Sequence, residues 1–477
     1  MSELALQLIA ENKKTRATFL DLGNCGLTEA PKELGKLTWL EELSFARHWW
    51  DGDVLKDSTN SGTENNIFLL APTASSNPFS SLTHLKKLWL NGTLASRLKL
   101  QDLSPLAGLT GLQTLDLTGT QVADLSPLAG LAGLQTLRLM NTQVADLSPL
   151  AGLTELRALR VDWTPVADLA PLARLARLQS LTVWRTQVAN LSPLTGLARL
   201  QRLNISSTQV ADLSPLTGLA RLQRLEISST QIADLSLLAG LTELQELFFA
   251  FTPVADLAPL AQLTELRWLD LLRTNVFDLS PLAELRYLQR LNVCATQVTD
   301  LTPLAGLTEL RMLDSSSTQV ADLSPLAGLT ELQVLKLRGN HVTDLSPLAG
   351  LAHLQELDIA GARVTDLSPL SGLTELRRLN AARTPVASLD PLAGLTELRG
   401  LDVAETLVAD VTPLAGLAKL RFLNLNETAV TDLAPVVPLI KKGLPLQWHL
   451  DASEDGIYVG GCSLANPPIE IAEENDQ

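Results

Sequence analysis

Aromatic residues are scarce in this chain. They make up 4% of its 477 residues, although apolar residues as a whole reach 46%. A core with so few rings has to be built mainly from leucine, valine and alanine side chains. The apolar residues are also well dispersed, since no apolar run reaches the ~18 residues that a membrane span needs. We therefore expect an aliphatic core and no membrane partner.

Cysteine is equally rare, and this bears on the compartment. The three cysteines, Cys25, Cys294 and Cys462, are odd in number and far apart in the sequence. Such usage is typical of a reducing compartment rather than of a disulfide framework. The first residues, MSELALQLIAENKKTR, lack the uninterrupted apolar run of a signal peptide. The sequence therefore predicts a cytoplasmic protein.

Positive charge is in deficit. Lysine and arginine number 37 against 52 acidic residues, which gives a net charge of −15. This balance disfavours a nucleic acid or an anionic membrane as partner, and it would steer a basic partner towards the chain.

Motifs for catalysis are missing as well. The sequence has no H-E-x-x-H or C-x-x-C arrangement of metal ligands and no G-x-S-x-G nucleophile turn. Cys294 is expected on the exposed side of a strand without a histidine or cationic neighbour, where its thiol should have ordinary reactivity. We predict a protein that is not an enzyme and that uses no cofactor.

What the chain does have is a repeat of 22 residues. The stretch from Leu112 to Leu134, LQTLDLTGTQVADLSPLAGLAGL, contains one copy and the first leucine of the next. Its proline, Pro127, has counterparts at this interval, with Leu237 in place of one of them: Pro105, Pro149, Pro171, Pro193, Pro215, Pro259, Pro281, Pro303, Pro325, Pro347, Pro369, Pro391, Pro413 and Pro435. Sixteen copies thus follow one another without insertion or deletion, which is the sequence signature of a solenoid.

The alternation within one copy predicts how it folds. Leu115 and Leu117 share one face of a strand, and stacked strands ~4.8 Å apart would form one long parallel sheet. Only about six residues, Ser126 to Leu131, remain for the return path, which is too short for an α-helix with two loops. We therefore expect 3₁₀ turns on the convex side.

Three polar positions of the repeat have structural interpretations. Ser126 is a candidate N-cap, and Pro127 suits the first helical position after it. Asp124, an aspartate in fourteen of the sixteen copies, should accept backbone N–H groups at the turn; the alternative is a calcium-binding ladder, or an enzyme that uses these acids with a metal. Thr120 should bond the backbone of adjacent turns.

The regions outside the array divide the chain into four parts. Residues 1–46 form an N-terminal cap, with a helix over 2–12, and a first divergent repeat. Residues 47–80 are rich in Ser, Thr, Asn and Gly and are expected to form an inserted surface loop, which could offer a contact surface near Trp89. Residues 81–437 are the repeat array. Residues 438–477 form a C-terminal cap and acidic tail, with a short helix and strands at 446–450 and 456–460.

These motifs resemble those of leucine-rich repeat proteins. The form QVADLSPLAGLTELQ is similar to the 22-residue internalin-type repeat, although threonine stands at the strand end where that family usually has asparagine. The resemblance implies an α/β fold, a right-handed leucine-rich repeat solenoid or horseshoe with a parallel β concave face and short 3₁₀ turns on the convex side. It also implies a generic binding scaffold.

The two ends resemble a different family. LALQLIAENKKTRATFLDLGNCGLTEAPKEL and GIYVGGCSLANPPIEIAEEN are similar to the segments that flank the leucine-rich repeats of bacterial Roco proteins. In that family a GTPase domain follows the NPP-EI stretch, matched here by Asn466, Pro467, Pro468, Glu470 and Ile471. No G-x-x-x-x-G-K-[ST] phosphate loop occurs in this chain. The resemblance implies the sensor or regulatory arm of a Roco-like GTPase switch, acting with a separate or lost GTPase domain.

The copies differ most at the four outward positions of each strand, numbered 114, 116, 118 and 119 in the representative copy. Four copies place large side chains there: Arg160, Trp163, Trp184, Arg185, Phe248, Phe251, Trp268 and Arg273. These residue types are typical of interface anchors, and we predict that they bind a protein partner of unknown identity on the concave face. The other interpretation is that these side chains only cover one another.

Further along, an acidic strip either attracts a basic partner or is merely solvated: Asp358, Asp402, Glu405 and Glu427, alternating with Asn380 and Asn424.

Overall fold

The computed structural model describes residues 2–52, 54–67, 70, 77–92, 98–441, 444–447 and 455–464. They belong to two compact units, Met1–Ile232 and Ala233–Gln477. The boundary falls inside the repeat array, so each unit contains part of it. In the described part of the chain, no helix combines the length and the apolarity needed to cross a bilayer.

The first unit consists of a helix, short parallel strands and one hairpin. Its elements are α1 (Glu3–Thr15), β1 (Phe19–Asp21), β2 (Glu42–Ser44), β3 (His48–Asp51), β4 (Val54–Asp57), β5 (Lys87–Trp89), β6 (Thr114–Asp116), β7 (Thr136–Arg138), β8 (Ala158–Arg160), β9 (Ser180–Thr182), β10 (Arg202–Asn204) and β11 (Arg224–Glu226). The sheet runs β1-β2-β5-β6-β7-β8-β9-β10-β11, with every neighbouring pair parallel.

The second unit continues the same pattern of strands. Its elements are β12 (Glu246–Phe248), β13 (Trp268–Asp270), β14 (Arg290–Asn292), β15 (Met312–Asp314), β16 (Val334–Lys336), β17 (Glu356–Asp358), β18 (Arg378–Asn380), β19 (Gly400–Asp402), β20 (Phe422–Asn424), α2 (Val437–Ile440), β21 (Leu446–Gln447) and β22 (Gly456–Tyr458). Strands β12 to β20 pair in chain order, β22 follows β20, and β21 lies beyond β22.

The leucine pattern explains the parallel strands of both units. Equivalent residues pair between neighbouring strands, so that Leu115 lies opposite Leu137 and every strand turns the same leucine inward. The inward residues of one copy are fully buried: Leu112, Leu115, Leu117, Val122, Leu125, Leu128 and Leu131. Burying one such side chain stabilises the fold by about 1.5–3 kcal/mol. Each copy therefore supplies one complete layer of an aliphatic core.

Short 3₁₀ turns return the chain to the next strand, as predicted. The turn of the representative copy is Ser126–Leu128, and Pro127 lies in its first turn, where no N–H is needed. The prediction that Ser126 is the N-cap is wrong, because the residue before the turn is Leu125. Instead, Asp124 accepts the Ser126 N–H at 2.8 Å. Asn190 and Ser388, which replace the aspartate in two copies, accept the equivalent N–H.

The threonine at position 120 donates a hydrogen bond to a backbone carbonyl oxygen of its own copy. Thr120 donates its hydroxyl to the Leu117 carbonyl oxygen at 2.7 Å, and the other copies with threonine repeat this bond, as Thr142 does to Leu139. The expected bond to an adjacent turn is therefore wrong, because the tight bend brings the hydroxyl within reach of the carbonyl three residues earlier. Asn340 is different, since its Oδ1 accepts the Thr318 N–H of the preceding copy at 3.1 Å.

Both ends of the array carry additional elements. Helix α1 buries Ala5 and Ile9 and ends later than the predicted residue 12. Asn12 anchors it, because its Nδ2 donates to the Ala17 carbonyl oxygen at 3.0 Å and its Oδ1 accepts the Trp39 Nε1–H at 3.1 Å. At the other end are the predicted short helix and two strands, α2, β21 and β22. Residues 448–454 and the NPP-EI stretch lie outside the described residues.

Candidate functional site

Position 119 of the repeat has a left-handed backbone in fifteen successive copies. The residues there have φ between 53° and 70°: Gly119, Asn141, Trp163, Arg185, Ser207, Ser229, Phe251, Arg273, Ala295, Ser317, Gly339, Gly361, Arg383, Glu405 and Glu427. The conformation is enforced by the sheet, because this residue's N–H donates to a carbonyl oxygen of the next copy, as Trp163 does to Trp184 at 2.9 Å. Glycine adopts this region without cost, whereas bulky residues rarely do.

Four of the eight predicted site residues occupy this strained position: Trp163, Arg185, Phe251 and Arg273. The tryptophan and the phenylalanine are 41% and 48% exposed. Folding alone would favour glycine at each of these points. Large exposed side chains at a position that disfavours them are the kind of local strain that clusters at functional sites.

The structure brings the four predicted residues of the first unit together in what we call the tryptophan cluster: Arg160, Trp163, Trp184 and Arg185. The two indole rings meet edge to face, with their centroids 5.4 Å apart. The guanidinium of Arg185 lies over Trp163, 4.4 Å from the ring centroid, and 5.6 Å from that of Trp184. The side chains thus form one aromatic and cationic surface on β8 and β9.

A buried carboxylate positions this cluster. Asp162 is 1% exposed; its Oδ1 accepts the Trp184 N–H at 2.9 Å, and its Oδ2 accepts the Thr182 hydroxyl at 2.9 Å. Arg160 donates to the same Oδ2 from Nε and Nη2, at 3.2 and 3.1 Å. In copies with Asp or Asn at position 116, that side chain accepts the N–H of position 118 in the same copy, as Asp116 does from Thr118. The copy that contains Trp184 has Thr182 at position 116. Asp162 of the preceding copy therefore accepts the Trp184 N–H.

The predicted residues of the second unit form two aromatic contacts on β12 and β13. Phe248 packs edge to face against Trp268, with ring centroids 4.8 Å apart. The guanidinium of Arg273 lies 5.6 Å from the ring centroid of Phe251. The guanidinium of Arg290, which was not among the predicted site residues, lies 4.8 Å from the Trp268 ring centroid. We refer to these five residues as the phenylalanine cluster.

A hairpin covers part of the strand face in the first unit. The segment 47–80, expected to be a surface loop, contains the antiparallel pair β3–β4. Trp49 is buried between Phe19 and Trp89, 5.9 Å from each ring centroid. The Trp89 Nε1–H donates to the Trp50 carbonyl oxygen at 3.1 Å. Of the two tryptophans expected to offer a contact surface near Trp89, Trp49 is used in packing, whereas Trp50 is 42% exposed.

Four further bonds hold the hairpin against strands as far as β7. Asn91 donates to the His48 carbonyl oxygen at 2.6 Å, and Lys87 pairs with Asp51 at 2.9 Å. The Arg138 guanidinium donates to the carbonyl oxygens of Trp50 and Gly52, each at 3.4 Å. Asp116 lies in this region, 2% exposed. Burial raises the pKa of its carboxyl, although Arg138 partly opposes the rise.

A small cavity opens between the hairpin and the tryptophan cluster. Its volume is about 140 Å³, and its lining includes Trp50, Leu55, Met140, Arg138 and Arg160. Trp50 and Leu55 are 42% and 52% exposed, which is unusual for large apolar side chains. Arg160 belongs both to this cavity and to the tryptophan cluster, so the two features are continuous.

The local charge of this face is opposite to that of the chain. Between β6 and β11 the outward positions carry five arginines against three carboxylates: Arg138, Arg160, Arg185, Arg202 and Arg224, with Asp116, Asp162 and Glu226. Asp116 and Asp162 are buried, and Glu226 is bonded to Arg224 at 2.7 Å. The net charge of −15 had suggested a basic partner, but this face is itself basic.

The predicted acidic strip has local roles in the second unit. Asp358 and Asp402 accept the backbone N–H of Ala360 and Ala404, each at 3.0 Å, and so close the turn after their strands. Glu405 pairs with Arg383 at 2.8 Å. Burial raises the pKa of the Asp402 carboxyl.

Cys294 differs from its prediction in one respect. Arg273 and Lys336 are close enough to lower its pKa, so the expectation of no cationic neighbour is wrong. Burial nevertheless raises the pKa of the thiol, and Asp314 adds to the rise. Since a thiolate is the reactive form, these surroundings do not activate it.

The acids on the turns do not converge. Among the residues that the structure describes, no three His, Cys, Asp or Glu side chains are placed to hold a metal ion together. Each aspartate binds its own turn instead: Asp278 accepts both the hydroxyl and the N–H of Ser280, at 2.6 and 2.8 Å. These bonds lower the pKa of the Asp278 carboxyl.

Known proteins support the fold. The family model described as "Leucine Rich repeats (2 copies)" matches residues 330–372. No curated protein sequence shows significant similarity to the chain. Among solved structures, an internalin (inlF) of Listeria monocytogenes is 30% identical, with a TM-score of 0.59, and the alignment covers 66% of this chain and 89% of the internalin.

Two more distant structures share the fold alone. The plant peptide hormone receptor RGFR1, solved in complex with RGF2, is 18% identical with a TM-score of 0.62, and the match covers 92% of this chain and 75% of the receptor. TLR13, solved in complex with ssRNA13, is 20% identical with a TM-score of 0.61, over 90% of this chain and 68% of that protein. The leucine-rich repeat fold is typical of protein–protein interaction modules. With its 22-residue layers, its 3₁₀ turns and its similarity to an internalin, the chain belongs to the leucine-rich repeat proteins.

Proposed function

We propose that this chain is a non-enzymatic scaffold that binds a protein partner on its open strand face, the side formed by the outward positions 114, 116, 118 and 119 of each copy. The observation that carries the proposal is the occupancy of the left-handed position. Trp163 and Phe251 stand there, exposed, in a conformation that favours glycine. Twelve of the fifteen residues at this position are not glycine, but Trp163 and Phe251 are the large apolar ones among them, and a partner that covers them best explains their exposure.

The composition of the two clusters supports the same proposal. Tryptophan and arginine are enriched among residues that dominate binding energy at interfaces, and phenylalanine is enriched in interface cores. In each unit the rings and guanidinium groups hold one another in place, as Trp163 and Arg185 do. Preorganised side chains lose less conformational freedom when a partner binds. That the plant receptor named above was solved in complex with RGF2 is consistent with ligand binding by this fold.

Capture from the source cell with the immobilised chain tests the proposal. The wild type is compared with Trp163→Gly/Trp184→Ala in the first unit and Phe251→Gly in the second. Phe277→Ala and Tyr287→Ala are matched controls, because these aromatic side chains are 64% and 55% exposed but lie outside the four outward positions. We expect the controls to retain the partner and at least one cluster variant to lose it. Retention of every partner by both folded cluster variants would exclude the open strand face.

The Roco-like alternative depends on the sequence of the two ends. Asn466, Pro467, Pro468, Glu470 and Ile471 lie outside the described residues, so the resemblance remains a prediction from the sequence. An adjacent or in-frame GTPase segment in the DNA downstream is the result it expects, whereas an unrelated neighbouring gene would count against it.

A further inference from the structure

The first unit contains a groove whose parts differ in chemistry. One side is the tip of the β3–β4 hairpin, with the exposed apolar side chains of Trp50 and Leu55. The other side is the tryptophan cluster on β8 and β9, and Arg160 contributes to both. We call this region the hairpin groove.

The cavity at the hairpin end suits one apolar side chain. Its volume of about 140 Å³ is close to that of the ~150 Å³ engineered cavity that admits a benzene ring. Trp50, Leu55 and Met140 supply apolar lining, so a phenylalanine or leucine side chain would exchange water for carbon contacts there.

The rest of the groove suits negative charge. Arg160 lines the cavity and already donates two hydrogen bonds to the buried Asp162, so beyond the cavity the outward positions present the cations of Arg185 and Arg202. Arginine binds carboxylates through paired N–H donors, and such charge-assisted bonds are stronger than neutral ones. This face therefore offers hydrogen-bond donors and suits a ligand that carries acceptors.

The dimensions set the length of the occupant. From β7, beside the cavity, to β10, which carries Arg202, there are three strand spacings of ~4.8 Å, or about 14 Å. An extended chain rises ~3.3 Å per residue, so about four residues cover this distance. The apolar residue and the acidic residues of a ligand should therefore lie within about five positions of each other.

We propose that the hairpin groove binds an extended acidic peptide segment that places one apolar side chain in the cavity and its carboxylates over the arginines. This deepens, and rests on, the proposed function. A single-stranded nucleic acid is the competing occupant of a basic aromatic surface, but it needs open ring faces for stacking. Here Trp163 and Trp184 meet edge to face, and Arg185 covers Trp163.

Fluorescence polarisation with four labelled octapeptides tests the inference. Two carry one phenylalanine at one end and three glutamates beginning three positions away, in the two opposite orders. The other two have glutamine in place of glutamate. We expect one glutamate peptide to bind at least tenfold more tightly than its glutamine counterpart, and its affinity to fall as salt rises.

Variants separate the two halves of the groove. Arg185→Gln should weaken the glutamate peptide about tenfold and leave the glutamine peptide unchanged. Leu55→Ser should weaken both, because it removes apolar lining from the cavity. Arg286→Gln is the control, since this arginine is exposed in the second unit and pairs with Glu284 at 3.0 Å.

The outcomes also separate this inference from the proposed function. Absence of peptide binding, or equal binding of glutamate and glutamine peptides, overturns the inference. A twelve-residue oligouridine that binds more tightly than every peptide overturns it in favour of nucleic acid. If the peptides fail while Trp163→Gly/Trp184→Ala still loses a captured protein partner, the proposed function stands and only the peptide class is wrong.

Discussion

Replacing a residue at the left-handed position 119 of a copy with glycine separates the effect of that residue on stability from its effect on partner binding. Ser317 has φ 55° and lies outside both clusters. Trp163 has φ 57° and belongs to the tryptophan cluster. The substitutions Ser317→Gly and Trp163→Gly therefore relieve the same backbone strain, but only the second removes a proposed anchor.

The expected magnitudes follow from the contacts of each side chain. A left-handed backbone costs an L-residue ~1–2 kcal/mol, and the greater freedom of glycine in the unfolded chain offsets ~0.5–1 kcal/mol of that gain. Ser317→Gly should therefore raise the free energy of unfolding by about 0.5–1 kcal/mol. Trp163→Gly also loses an edge-to-face ring contact of ~0.5–1.5 kcal/mol and a cation–π contact of ~0.5–1 kcal/mol. Its net change should be zero or slightly destabilising.

Hydrogen exchange at the amides of the substituted copy and its neighbours is the appropriate measurement. In a repeat protein each copy contacts only its neighbours, so local opening reports the change better than one global midpoint does. Slower exchange around position 317 in the Ser317→Gly variant, with unchanged partner binding, is the expected result. Faster exchange in Ser317→Gly would show that the position is not strained. Slower exchange in Trp163→Gly together with full partner binding would show that the tryptophan neither packs nor binds.

Three further predictions concern the scaffold. Burial raises the pKa of folded Asp116 above its ordinary 3.8, so its ionisation opposes folding, and stability should fall as pH rises through the raised pKa. Asp116→Asn should remove that decline in denaturant titrations over a pH series that starts near the ordinary pKa. Thr296→Val removes the bond from its hydroxyl to the Val293 carbonyl oxygen at 2.6 Å and should cost ~0.5–1.5 kcal/mol, whereas Thr296→Ser, as the control, keeps the bond. Trp49→Ala should cost ~3–5 kcal/mol locally and expose residues 48–57 to limited proteolysis, and an uncleaved hairpin would show that Trp49 does not anchor it.

The repeat made the fold predictable. Leucines at equivalent positions of all copies face the core together when the strands are parallel and in register. Leu115 and its counterparts are buried in this way. The short return path likewise predicted 3₁₀ turns. These features depend on contacts between equivalent residues, which the period of 22 places next to each other.

The hairpin was not predictable by that route. It has no period, and its partners are distant in sequence: Trp49 packs against Phe19 and Trp89. A segment rich in Ser, Thr, Asn and Gly is typical of loops, and only the two adjacent tryptophans hinted at a buried contact. The basic face was missed for a similar reason, because the net charge averages over both sides of the array.

The left-handed backbone at position 119 of the repeat could have been predicted from the sequence. Gly119, Gly339, Gly361 and Asn141 share one position of the repeat, and these residue types are the ones that tolerate positive φ. That coincidence marks the position as strained in every other copy. The sequence then shows, without coordinates, that Trp163 and Phe251 occupy it at a cost.

Titration calorimetry with the purified captured partner tests the central claim most directly. It compares the wild type, Trp163→Gly/Trp184→Ala, Phe251→Gly and the control Tyr287→Ala. If the open strand face binds the partner through these anchors, at least one cluster variant loses ~2 kcal/mol or more of binding free energy, about thirtyfold in Kd, and the control loses none. Equal affinity of all four proteins, each folded, would contradict the account.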